Sequence, residues 1–164
     1  MNLLPFTPIN LLINFAFSYL ATMGFGFLIN IPRNALLASG AVGSIGWMMY
    51  IVVYHAHLGT MLANLSGAMV VGLGAAIMAR IKKMPMILFN VPGMVPLVPG
   101  SQSYKAIYNF AFGKNSIALH YLVQVAMIAG AIAMGFFLAE MLTRMFFRIK
   151  HQIENKRGRY DKTS

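Results

Sequence analysis

The run Gly100-Ser101-Gln102-Ser103-Tyr104-Lys105, with Asn109 one turn further on, is the densest set of hydrogen-bonding side chains ahead of the C-terminal tail. It closes a stretch rich in proline and glycine, FNVPGMVPLVPGSQSYK from Phe89 to Lys105. Pro92, Pro96 and Pro99 each lack an amide donor and disfavour helix in the residue before them. Gly93 and Gly100 permit turns closed to other residues. Val91 to Gly100 is therefore expected to be extended or irregular, with a new helix starting near Ser101. Amides at a helix start carry partial positive charge and have no intrahelical acceptor. Gly100, Ser101, Gln102 and Ser103 thus combine backbone and side-chain donors in a way that suits a carboxylate. At helical spacing Ser101, Lys105 and Tyr108 or Asn109 share a face, a polar stripe carrying one cation. Gly100, Ser101, Gln102, Ser103, Lys105 and Asn109 are the candidate ligands for a small anion. The plainer alternative is a loop joining a hairpin at the membrane surface, with Lys105 in water.

Other reactive side chains are few. Glu140 is the one acid inside a hydrophobic stretch, and Arg144 follows at the spacing of a helical ion pair. A structural pair is the plain reading, and proton coupling the functional one, because an acid at membrane depth is costly to keep. His120, one turn into the last hydrophobic run, is a second candidate proton carrier. His55 and His57 are two apart, face different sides of a helix and have no acid nearby, which fits an interfacial turn and not a metal site. Asn64 and Ser66 are expected to hydrogen-bond between helices. There is no cysteine, so disulfides, thiol chemistry and Cys-based metal sites are excluded. No serine–histidine pairing carries a motif for hydrolysis. Neither an enzyme activity nor a metal or cofactor is expected.

These residues sit on elements that composition identifies. Hydrophobic residues make up 59% of the 164 and charged ones 10%, against about 25% charged in ordinary soluble domains. No charge precedes Arg33, none lies between Arg33 and Arg80, Lys83 and Lys105, or Lys114 and Glu140. A bilayer span takes about 20 apolar residues, so the chain reads as an all-α, polytopic membrane protein. Five spans are expected, at about 9–31, 34–54, 58–79, 85–112 and 116–142, the fourth broken by the Pro/Gly stretch. They form a membrane domain, 1–147, followed by a basic tail, 148–164. The N-terminus has no positive n-region, so the first run is read as a retained span. The net charge of +10 does not point to nucleic acid, because seven of the thirteen Lys and Arg lie from Arg144 onward, beyond the last hydrophobic run. Basic flanks mark the cytoplasmic side. With the N-terminus outside and the C-terminus inside, eleven of the thirteen fall in the cytoplasm and only Lys105 and Lys114 outside. A re-entrant fourth segment would instead put the tail outside. Gly40, Gly43 and Gly46 form a smooth strip on the second span for close helix approach. Lipid cannot hydrogen-bond a broken backbone, so the break must be covered by protein or line a water-filled cavity. Discontinuous helices of this kind hold anionic substrates in many transporters.

VPGMVPLVPGSQSYKAIYNFAFGKN, followed by a long hydrophobic helix and a basic tail, resembles the threonine/serine exporter family, specifically its small subunit or C-terminal membrane half. IPRNALLASGAVGSIGWMMY shares the resemblance, which takes in nearly all of the membrane portion. Pro92, Gly93, Pro96, Pro99 and Gly100 match the family's P-G-x-x-P-L-V-P-G core, whereas Ser101, Gln102 and Ser103 depart from a more glycine-rich version. The resemblance implies one half of a two-component secondary exporter in a bacterial inner membrane, paired with a larger membrane subunit. It implies small carboxylate-bearing cargo, threonine and serine or a dicarboxylate such as succinate. A five-span half would be inverted relative to a second such half. The competing expectation is a non-transporting assembly subunit or a homo-oligomeric channel.

Overall fold

The protein, described here from a computed structural model, is defined for residues 7–160, with side chains defined for residues 7–147. The side chains of the expected basic tail lie outside that range. Every element among the described residues is helical. Helix α1, Pro8–Leu28, opens on a proline, whose missing amide costs nothing in a first turn. It ends at Leu28, and Asn30, where φ is 57°, turns the chain just before Pro32. Helix α2, Arg33–His55, and helix α3, Thr60–Lys82, are joined by a tight turn with His57 at φ 57° and Gly59 at φ 88°. Lys83, at φ 52°, closes α3 in the left-handed conformation. Helix α4, Ile87–Gly93, a single 3-10 turn, Val95–Leu97, and helix α5, Gly100–Ala111, follow in sequence. Gly113, at φ 71°, turns the chain into helix α6, Asn115–Tyr160. Four stretches, Pro8–Leu28, Arg33–His55, Thr60–Lys82 and Asn115–Phe147, are long and apolar enough to cross a membrane. With that content the chain is a multi-pass membrane protein.

The Pro/Gly stretch is more helical than its prolines suggest. Helix α4 runs through Pro92 to Gly93, and Pro96 sits inside the 3-10 turn. The reason is that proline fixes φ near the helical value and forbids only the hydrogen bond and the approach of the preceding turn. Each proline therefore shortens a helix without straightening the chain. The non-helical residues are Met94, itself close to helical dihedrals, and the pair Val98–Pro99.

Small residues bring α1, α2 and α3 together. A Cβ on Gly43 would collide with Thr22 of α1, one on Gly40 with Tyr19 and Met23, and one on Gly46 with Val71 of α3. The glycine strip thus serves two neighbours, α1 along its first half and α3 at Gly46. The α4 segment occupies the space these three helices enclose: Phe89 and Pro92 are fully buried, and Gly93 packs against Val71 and Val42. Its backbone is covered by protein there, as a break at membrane depth requires.

Helix α6 runs alongside α3 in the same direction. Ile128 shares a cavity with Thr60 and Asn64, Gly135 lies against Leu65 and Ala68, Gly72 against Ala139, and Arg80 over the Phe147 ring. Two parallel neighbours require the intervening chain to return from the Lys82 end to the Thr60 end. The α4 segment makes that return, with Gly93 level with Val71 and Leu97 level with Gly67. Beyond Thr60, α5 and the first turns of α6 continue as a helical hairpin in which α5 packs on α6, and its Gln102, Gln124 and Met127 still face Tyr50 and Thr60 across a cavity.

Candidate functional site

Where the returning segment reaches the Thr60 end, the backbone opens. Val98 accepts the Gly100 amide at 2.8 Å and Pro99 accepts that of Ser103 at 3.0 Å. The Ser101 and Gln102 amides are left in the first turn of α5, where no intrahelical acceptor exists. Gly100, Ser101 and Gln102 line a cavity of about 190 Å³ with Pro96–Pro99, facing Trp47 and Tyr50 of α2, Thr60 and Asn64 of α3, and Ile128 of α6. It adjoins a larger cavity of about 650 Å³ that shares Tyr50, Thr60, Gln102 and Ile128 and adds Tyr54 and Gln124.

The aromatic wall is built by helical spacing on α2. Trp47 stacks on Tyr50 at 4.8 Å and Tyr50 on Tyr54 at 5.8 Å. The Trp47 indole donates to Asn14 Oδ1 at 3.3 Å, which ties α1 to the wall. Asn64, almost fully buried, donates its amide to the Thr60 carbonyl at 2.8 Å. Its bond stays within its own helix, as does that of Ser66 to the Ala63 carbonyl, in place of the expected interhelical bonds. Carbonyls one turn back are always in reach of these short side chains, whereas a partner on another helix must happen to face them. The Ser101 hydroxyl donates to Gln102 Oε1 at 2.8 Å, leaving the Gln102 amide nitrogen as a donor.

Of the six residues expected to bind an anion, three line the cavity. The Ser103 hydroxyl turns back to the Pro99 carbonyl and Asn109 to the Lys105 carbonyl. Lys105 lies exposed, its Nζ 5.4 Å from the centre of the Tyr121 ring on α6. No charged side chain lines the smaller cavity among the described residues. Its donors and acceptors are amides, hydroxyls and backbone, and its aromatic faces can take a cation. Such a neutral wall suits a small solute with both charges on it better than a bare dianion. The proton-carrier candidates lie elsewhere. His120 Nε2 is 3.0 Å from the Gln124 side-chain nitrogen on the helical hairpin. Glu140 is paired with Arg144 at 2.6 Å on an exposed face of α6. Trp47, Tyr50, Thr60 and Gln124 were not legible as site residues; the one available signal was their recurrence near the same ends of three apolar helices.

The sequence profile of the family described as "Threonine/Serine exporter, ThrE" matches residues 14–142. An uncharacterized protein of Haemophilus influenzae is 26% identical over 151 residues, covering 87% of this chain and 50% of the relative. The chain therefore spans about half the length of that curated relative. No solved structure matches.

Proposed function

We propose, from the premise that the chain belongs to the threonine/serine exporter family, that it forms one membrane half of a secondary exporter of small amino acids. The carrying observation is the cavity at the break, which joins free helix-start amides to an aromatic and amide wall with no charge of its own. In this reading the substrate carboxylate meets the Ser101 and Gln102 backbone amides and the Ser101 hydroxyl, which turns to it from Gln102 Oε1. Its ammonium lies against Trp47 and Tyr50, and the side-chain hydroxyl of threonine or serine reaches Asn64 or Thr60. A volume of about 190 Å³ suits a metabolite of this size and is below the usual range of about 300–1,000 Å³ for larger ligands. A dicarboxylate such as succinate would bring a second negative charge into a wall without a cation. It remains the second reading because Lys105 stands one turn above the cavity.

The chain sits in this reading in a bacterial inner membrane, with five crossings, the N-terminus outside and the tail inside. Support comes from the parallel run of α3 and α6, which suits a return crossing by the segment between them, and from the basic cluster at Arg80–Lys83. A larger membrane subunit supplies the opposing wall, and alternating access moves the site between the two faces. Gln102→Ala and Ser101→Ala should each lower threonine export about tenfold, the scale of one lost charge-assisted hydrogen bond, without lowering membrane abundance. Unchanged export of threonine, serine and succinate in both variants would remove the site.

A further inference from the structure

We propose that the groove between α2 and α3 is a binding site for one anionic phospholipid, whose acyl chain lies in the groove and whose phosphate is held by the basic residues at the Arg80 end.

The groove is a cavity of about 360 Å³ walled by residues that include Ala38, Ala41 and Ile45 of α2 and Val70, Gly74 and Ile77 of α3, and its described lining is apolar throughout. Small residues give it depth. A Cβ on Gly74 would lie 3.3 Å from Val42, so the floor is where the two helices touch. Ile45 and Ile77 stand exposed at its rims. A polar solute finds no partner on such a wall, whereas an acyl chain gains dispersion contacts along it.

The groove is blind at one end and basic at the other. Past Ile45 and Val70 the helices close backbone to backbone, with the Cβ position of Gly67 3.0 Å from the Gly46 carbonyl oxygen. In the other direction the antiparallel register, Val42 at Gly74 and Gly46 at Val71, brings Arg33 level with Lys82 and Lys83. The rise from Arg33 to Ile45 is about 18 Å. One leaflet of a hydrocarbon core of about 30 Å is close to that depth. A membrane-spanning helix would need a groove that crosses the whole core, whereas a chain rooted in a single leaflet needs only half.

Charge selects the headgroup. Arg33, Lys82 and Lys83 are exposed, and Arg80 beside them lies over the Phe147 ring. The one acid among the residues with described side chains is Glu140, and it is paired with Arg144. Glu154 and Asp161 of the tail are outnumbered there by six Lys and Arg. The chain therefore has no surplus carboxylate for this end, and a phosphate without its own ammonium neutralises it where a zwitterionic headgroup would add a cation. Membrane sorting alone places basic residues at such an end; the blind apolar groove that opens among them is what makes a lipid site of it.

The test uses the full chain purified in detergent, probed by native mass spectrometry with phosphatidylglycerol or with phosphatidylcholine of the same acyl chains. One phosphatidylglycerol should be retained in preference to phosphatidylcholine. Arg33→Gln combined with Lys82→Gln should weaken it about thirtyfold, from about fivefold for each charge removed. Lys114→Gln, at the opposite end, should leave it unchanged. Phosphatidylglycerol with a diazirine at the end of one chain locates that chain in the unaltered protein: cross-links should fall on Ile45 or Val70 and not on Leu20 of α1 or Phe137 of α6. Equal retention of the two lipids, an equal loss in Lys114→Gln, or cross-links spread over all the exposed apolar faces, an annular shell only, would overturn the proposal. So would a disulfide-linked dimer of Ala41→Cys in membranes, which would put a second copy of the chain on this face. None of these readouts depends on export, so the lipid site and the transport reading fail separately.

Discussion

Trp47, Tyr50 and Asn64 owe their place in the cavity to the rotation of two helices about their own axes. Nothing in their local sequence fixes that rotation, because α2 and α3 are apolar on nearly every side and lack the polar stripe that orients a helix at a water boundary. What was legible at this scale was the helix start at Gly100–Gln102, because the prolines and glycines that precede it announce where a helix must begin anew. Lys105 was legible as the only cation on the stripe, yet four residues carry it a full turn above the cavity and toward Tyr121. The aromatic wall gives the residue scale its own prediction. If the substrate ammonium lies against Trp47, Trp47→Leu should weaken apparent affinity for threonine about two- to thirtyfold, the range of about 0.5–2 kcal/mol for such contacts. Trp47→Phe should recover most of it, and transport of succinate should change little. Equal losses for both solutes would show that Trp47 shapes the cavity without contacting a cation.

At the scale of elements, the break was readable and its form was not. Three prolines within eight residues, Pro92–Pro99, exclude a single continuous helix through the stretch. They do not exclude several short ones, and the enclosure by α1, α2 and α3 favours compact turns that satisfy carbonyls internally over an extended strand that would not. Direction is the more consequential property. Since α3 and α6 are parallel, α4 and the 3-10 turn carry the chain from the Arg80 end to the opposite end. The absence of native cysteine makes this directly measurable. Lys83→Cys should react with an impermeant maleimide only when the cytoplasmic face is opened, and Lys114→Cys in intact spheroplasts. Labelling of both from the same side would make the segment re-entrant and reverse the side assigned to the tail.

The whole molecule is unevenly finished. Its middle is a compact bundle in which glycines let backbones nearly touch, Gly46 at Gly67 and Gly135 at Leu65, while its Thr60 end opens into two adjoining cavities and a helical hairpin. Charge placement set the number of crossings expected from the sequence, because basic clusters favour one side of the membrane. A surface for the proposed second half was not legible there, since exposed apolar residues look alike whether lipid or protein covers them. A cavity walled by α2, α3, α5 and α6 but open beyond Gln102 and Gln124 cannot seal a solute from both faces by itself, and alternating access needs an opposing body against which to rock. The purified chain reconstituted alone into liposomes should therefore show neither threonine counterflow nor ion conductance. Co-reconstitution with the second half should restore counterflow that Gln102→Ala abolishes. Conductance by the chain alone would instead mark a homo-oligomeric channel, and counterflow by the chain alone would mean that the second half is dispensable.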